Sequence, residues 1–209
     1  LFVTCLITAN VIAVKVVSFG FVIVPAAIFV FPVSYIFGDV LTEVYGYPAA
    51  RRVIWLGFAA NLIFVIFAWI GQSLPAAPFW DGQAAYERIL GYTPRLLLAS
   101  FSGYLAGEFV NSFILAKMKI MTKGKWLWSR TIGSTVVGEG LDTVIFIILA
   151  FIGTPVFTPM LIVYHWLGKV LIEVVATPLT YAAVNYLKKK EGIDNYDYKT
   201  KFTPFSFLG

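Results

Sequence analysis

Long apolar runs, separated by short stretches rich in proline, glycine and basic residues, constrain this chain more than any other feature. Each run approaches the ~20 residues a helix needs to cross the ~30 Å hydrocarbon core of a bilayer. Of the 209 residues, 59% are hydrophobic and 13% charged. A soluble domain carries about 25% charged residues, so lipid must be the solvent for most of this surface. The runs are also too long and unbroken for the roughly ten-residue alternation of a membrane barrel. The pattern predicts an all-α integral membrane protein: a compact bundle of six transmembrane helices near 1–17, 25–46, 51–71, 95–117, 130–152 and 160–187, forming one transmembrane domain over 1–209.

The breaks fall where breakers sit. Pro25 opens the second span and Gly46-Tyr47-Pro48 closes it, while Gly153-Thr154-Pro155 and Pro159 precede the sixth. The stretch from Gln72 to Pro94 is too polar to span, and within it Ala84 to Leu90 can form a short interfacial helix beside Trp80. Leu1 already lies in an apolar run; we expect the first helix to begin there or further residues to precede it. No cleavable leader is recognisable.

Basic residues set the orientation. Arg51, Arg52, Lys117, Lys119, Lys123, Lys125, Arg130 and the Lys188-Lys189-Lys190 run all fall on one side of a six-span bundle, and only Arg88 and Arg95 on the other. The basic side is cytoplasmic, with both termini inside. The net charge of +5 therefore reflects topology, and no nucleic-acid partner is expected. Cys5 alone excludes an internal disulfide, and one histidine, His165, argues against a zinc centre. No cofactor or metal is expected.

The informative residues are those that lipid should reject. The second span carries Asp39 and Glu43, the fourth Glu108 and Asn111, the fifth Glu139 and Asp142, and the sixth His165, Lys169 and Glu173. Lys15, Asn10 and Asn61 add to these. A charge at a helix centre costs about 2.5–3.5 kcal/mol on insertion scales, and such residues mark functional sites. Their spacings of three and four residues put each set on one helix face. Tyr35 and Phe31 share the face of Asp39. Asp39 lies roughly 10 Å, and Glu108 and Glu139 roughly 12 Å, from the inner ends of their spans. The groups can meet in one cavity in the middle to inner half of the membrane. Six acids facing Lys15 and Lys169 call for protons, a cationic solute or an ion in that cavity. Gly38-Asp39, Gly107-Glu108 and Gly138-Glu139 begin similar six-residue patterns, in which the glycine lets a neighbouring backbone approach.

The run Phe31-Pro32-Val33-Ser34-Tyr35-Ile36-Phe37-Gly38-Asp39-Val40-Leu41-Thr42-Glu43-Val44-Tyr45-Gly46-Tyr47, followed by Arg51-Arg52 and Trp55-Leu56-Gly57, resembles the signature of the queuosine precursor transporter family, which is related to the vitamin uptake transporters. The segments from Gly107 to Lys119, from Gly138 to Asp142 and from Lys169 to Glu173 with Pro178 resemble it too. The resemblance implies six helices arranged like the substrate-binding subunits of energy-coupling-factor transporters. It implies uptake across the bacterial inner membrane of 7-deazaguanine precursors of queuosine, in cyano or aminomethyl form, or of queuine. A carboxylate accepts paired N–H donors of a base edge, which on this view falls to Glu108, Glu139 or Asp142, with Asp39 close by. Asn111 or Lys169 would donate to the carbonyl edge, and Tyr35 or Phe31 would flank the ring. Glu173 and Glu43 complete the expected set.

Other classes fit less well. A binding subunit for an energy-coupling module would use a small-residue face such as Ala9 and Ala13, a common packing pattern; such a module is not expected, and a homodimer is compatible with the sequence. A magnesium-dependent transferase would need basic residues beside the acids to hold phosphates. A plain ion or proton pathway would show no saturable organic solute. The chain is read as a transporter and not an enzyme.

Overall fold

The computed structural model describes residues 1–19, 22–91, 94–155 and 157–206. Seven α-helices dominate: α1 Phe2–Ile12, α2 Phe31–Val40, α3 Tyr47–Ser73, α4 Gln83–Leu90, α5 Pro94–Met121, α6 Leu127–Phe151 and α7 Pro159–Glu191. Three of them, α3, α6 and α7, are long and apolar enough to cross a membrane. Together with large exposed apolar side chains such as Ile63, Ile66, Phe67, Leu167, Leu171 and Leu179, they make this a multi-pass membrane protein, since a water-facing surface rarely carries such a belt. α4 is the short helix expected near 84–90; it hangs on α3 through Tyr86 Oη donating to the Ala68 carbonyl at 3.0 Å.

The first two expected spans differ from the structure. α1 has 11 residues and α2 has 10, about half of what crosses a bilayer. Between them, β1 (Val16–Phe19) and β2 (Val22–Pro25) pair antiparallel, with Val17 opposite Val24 and Ser18 opposite Ile23. Sequence reasoning disfavoured strands, but the β-branched run Val16-Val17 and Val22-Ile23-Val24 favours extended backbone. A 3-10 turn, Ala26–Phe29, leads into α2, and Pro32 in the first turn of α2 costs no helical hydrogen bond there. α2 then loosens into a π-helical turn, Leu41–Tyr45, and Gly46 at φ 87° reverses the chain into α3, a conformation that disfavours any side chain.

α5 and α6 pack closest where they have no side chains. A Cβ on Gly107 would lie 2.7 Å from Asp142 Cβ, and one on Gly138 would lie 2.6 Å from Asn111 Cβ. Gly107 and Gly138, the glycines before Glu108 and Glu139, are therefore contact points that bring the acid-bearing faces of α5 and α6 together, whereas Gly38 on α2 has only ordinary neighbours.

The basic residues gather at one end. There the tail after Gly192 turns back over the bundle. Asn195 N donates to the Val44 carbonyl at 3.1 Å, and Asp197 Oδ2 accepts from Tyr47 N at 3.0 Å. Arg51 Nη1 donates to the Lys201 and Thr203 carbonyls. Phe202 packs on Tyr47 and Phe113.

Candidate functional site

The buried charges sort into three layers along the bundle. The first is a cavity of about 620 Å³ whose walls come from α1, α2, α3, α5, α6 and α7, within the ~300–1,000 Å³ of ordinary small-molecule sites. Tyr35, Glu108, Glu139, Asp142 and Lys169 line it. Glu139 and Asp142 lie one turn apart on α6, and both pair with Lys169 of α7: Nζ sits 2.9 Å from Glu139 Oε2 and contacts Asp142 Oδ2. The Tyr35 hydroxyl lies beside Glu139. Glu108 has no ion-pair or hydrogen-bond partner among the described residues, and a Cβ at Gly38 would lie 3.7 Å from its Oε2, which places it against α2. Three carboxylates thus face one ammonium group. The rest of the wall mixes amides and hydroxyls (Asn10, Asn61, Ser34, Thr143), rings (Tyr104, Phe146, Tyr164) and aliphatic side chains such as Leu6 and Ile172.

The second layer lies toward the basic end. Asn111 Nδ2 donates to Asp39 Oδ1 at 3.2 Å, and Thr42 Oγ1 donates within reach of Ser112 Oγ at 3.2 Å. Glu173 of α7 is buried close enough for its charge to act on Asp39. Asp39, Asn111 and Glu173, all expected in the site, therefore sit beside the cavity and do not line it.

The third layer is an ion cluster around Glu43, whose side chain is 0% exposed. Arg130 of α6 grips it with both prongs of its guanidinium, Nε to Oε2 at 2.7 Å and Nη2 to Oε1 at 2.8 Å. Lys188 of α7 reaches Oε1 at 2.6 Å. Lys119 of α5 donates to the Glu43 carbonyl at 2.5 Å, and it shares Asp194 of the tail with Lys188. A bidentate arginine-carboxylate pair fixes geometry as well as charge. Glu43 thus ties the π-helical turn to α5, α6, α7 and the tail. The side chain of Phe31 lies outside the described residues.

Two expectations change. Cavity residues occupy the middle of their helices and the half remote from the basic end (Tyr104 on α5, Asp142 to Phe146 on α6, Tyr164 to Lys169 on α7), so the cavity is not in the basic half. Ala9 and Ala13 face this cavity, which turns their small-residue face inward. Sequence reasoning missed Tyr104, Ser34 and Thr143, since isolated hydroxyls in helices carry little signal. His165, grouped by sequence with Lys169 and Glu173, lines the cavity with Lys169. Asn61 did stand out, as a lone amide in an apolar run; its Oδ1 is buried without a hydrogen-bond partner among the described residues.

Residues 25–183 match the family model described as "Putative vitamin uptake transporter". The chain is 31% identical over 157 residues to the "Probable queuosine precursor transporter" of Bacillus subtilis, an alignment covering 73% of this chain and 68% of that protein. The chain belongs to the vitamin uptake transporter family. It is also 26% identical over 145 residues to the "Queuosine precursor transporter" of Escherichia coli, covering 69% of this chain and 62% of that protein. The chain thus spans about two thirds of the length of these relatives. No solved structure matches it. The family match takes in every acid of the three membrane layers, from Asp39 to Glu173. Asp194, on the anchored tail, lies beyond it.

Proposed function

We propose that this chain imports 7-deazaguanine precursors of queuosine across the bacterial inner membrane, taking the cyano or aminomethyl form, or queuine. On this reading it forms a six-span bundle with both termini in the cytoplasm, and the cavity belongs to the outer half. The names of the two relatives support the cargo class. The observation that carries the reading to particular atoms is Glu108, a carboxylate with no ion-pair partner among the described residues, in a cavity it shares with Tyr35, Tyr104 and Asn61.

A deazaguanine presents a ring N–H and an amino group side by side. One carboxylate accepts both, and hydrogen bonds to a charged acceptor are worth about 1.5–3 kcal/mol each. Glu139 and Asp142 already hold Lys169, so Glu108 takes the edge. Tyr35 and Tyr104 flank the ring, and Asn61 serves the remaining polar edge. The ammonium of an aminomethyl form supplies the missing positive charge; proton coupling would meet the same imbalance. The chain works without an energy-coupling ATPase module, as the inward-facing Ala9 and Ala13 suit wall better than docking surface.

Cells unable to synthesise deazaguanines test this. With the chain present they should accumulate labelled cyano- or aminomethyl-deazaguanine, and Glu108→Gln should abolish accumulation while the protein stays in the membrane. Absence of uptake with the unaltered chain, or full uptake with the variant, would overturn the reading.

A further inference from the structure

The middle layer has too many acceptors. Asp39 is 1% exposed and Glu173 0%. Asp39 Oδ2, Asn111 Oδ1 and both carboxylate oxygens of Glu173 are buried without a hydrogen-bond partner among the described residues. Three neighbouring donor groups already serve other acceptors. Asn111 Nδ2 serves Asp39 Oδ1. The Thr177 hydroxyl donates to the backbone carbonyl of Glu173, and that of Thr180 to the Ala176 carbonyl. The neighbouring cations are spent too: Lys169 on the acids of α6, and Arg130, Lys119 and Lys188 on Glu43. The other charges acting on the layer are acids: Glu43 from the π-helical turn and Glu108 from α5 on Asp39, and Glu139 from α6 on Glu173.

Buried acceptors are normally satisfied, and an unpaired buried carboxylate is far more costly than an unpaired carbonyl. Four oxygens from three helices, met by no donor among the described residues, suit the lining of a cation site. The backbone supports it: α2 gives way to the π-helical turn directly after Asp39. π-bulges concentrate at functional sites, and irregular helices hold coupling ions in secondary transporters.

We propose that Asp39, Asn111 and Glu173 form a binding site for one monovalent cation, a proton or sodium, between the solute cavity and the ion cluster at the basic end. A proton on one carboxyl would be shared with a facing oxygen; sodium would draw on all four. Either offsets one of the two negative charges that Asp39 and Glu173 would otherwise bury side by side. The further role, coupling cation movement to solute movement, rests on the transport reading above.

The site is tested on purified protein without solute. A proton gives the infrared carbonyl band of a neutral carboxylic acid, which should be lost in Glu173→Gln or Asp39→Asn. Sodium gives a melting temperature that rises with sodium but not with choline, a rise absent from Glu173→Gln. A folded wild-type protein with neither response, or variants that keep the wild-type response, overturns the site. Coupling is tested in proteoliposomes with labelled aminomethyl-deazaguanine. A gradient of the cation identified should drive accumulation in the wild type, while Glu173→Gln only equilibrates the solute. Equal accumulation in both overturns the coupling role. A wild type that carries no deazaguanine at all overturns the transport reading, and the infrared and melting results then decide the cation site by themselves.

Discussion

Replacing Gly138 with alanine is a sharp test of how α5 and α6 meet. The new Cβ would sit 2.6 Å from Asn111 Cβ and 2.9 Å from the Gly107 carbonyl oxygen. Carbon pairs settle near 3.5–4.0 Å, so the helices must part or turn by about 1 Å. Neither contact is with the end of a flexible side chain, so neither yields without backbone movement. Overpacking of this kind costs about 1–3 kcal/mol. At about 2–4 °C per kcal/mol for a chain of this size, the melting temperature of the detergent-solubilised protein should fall by roughly 2–12 °C. The intrinsic gain of alanine over glycine in a helix, about 0.5–1 kcal/mol, pulls toward the small end of that range. Solute uptake should fall as well, because the same approach of the two helices sets Asn111 against Gly138 and Asp142 against Gly107. Gly168→Ala is the control, since a Cβ there meets nothing within 4 Å and should leave stability unchanged or slightly raised. A Gly138→Ala protein that melts with or above the wild type would refute the close approach of α5 and α6.

Removing Lys169, as Lys169→Met, leaves Glu139 and Asp142 without their cation. Breaking a buried pair from one side costs about 3–5 kcal/mol, so thermal stability should drop, and adding Asp142→Asn should recover part of it. Glu43→Gln strips the charge from the ion cluster while Arg130 stays buried at 1% exposure. A loss of about 3–5 kcal/mol is again expected, together with faster trypsin cleavage at Lys199 and Lys201 as the tail loosens; a protected tail would contradict the clamp. Burial works against charge on Asp194, but Lys119 and Lys188 outweigh it and hold the carboxyl below its usual range. A depressed folded-state value stabilises the anchored tail above the ordinary aspartate pKa of about 3.9 and loses that contribution as the pH falls through the lowered value. Hydrogen exchange at the Asn195 amide, corrected for intrinsic rates, should therefore accelerate only in acid, and acceleration beginning near neutral pH would contradict the assignment.

The long helices were legible because apolar length and breaker residues both mark them: α3, α5, α6 and α7 begin and end within a few residues of their expected bounds. The chain before Phe31 was not, because hydropathy does not separate a short apolar hairpin from a helix end. Of the polar residues singled out in the apolar runs, Tyr35, Glu108, Glu139, Asp142 and Lys169 come together in one cavity. Their partners could not be read, since helical phase fixes a face but not the neighbour it meets. Lys169 and Glu173 are one turn apart, yet Lys169 turns to Glu139 and Asp142 and the Glu173 carboxylate meets no partner among the described residues. Glu43 was grouped with the site by spacing alone, while Arg130 and Lys188, which hold it, lie 87 and 145 residues away.

The central claim is that Glu108 receives the solute. The direct measurement is equilibrium binding of labelled aminomethyl-deazaguanine to purified protein, comparing the wild type with Glu108→Gln, with the melting temperature of each as the check on folding. Loss of one or two charge-assisted hydrogen bonds, at about 1.5–3 kcal/mol each, predicts affinity at least roughly tenfold weaker in Glu108→Gln, with melting unchanged or raised. Wild-type affinity in Glu108→Gln would contradict the account.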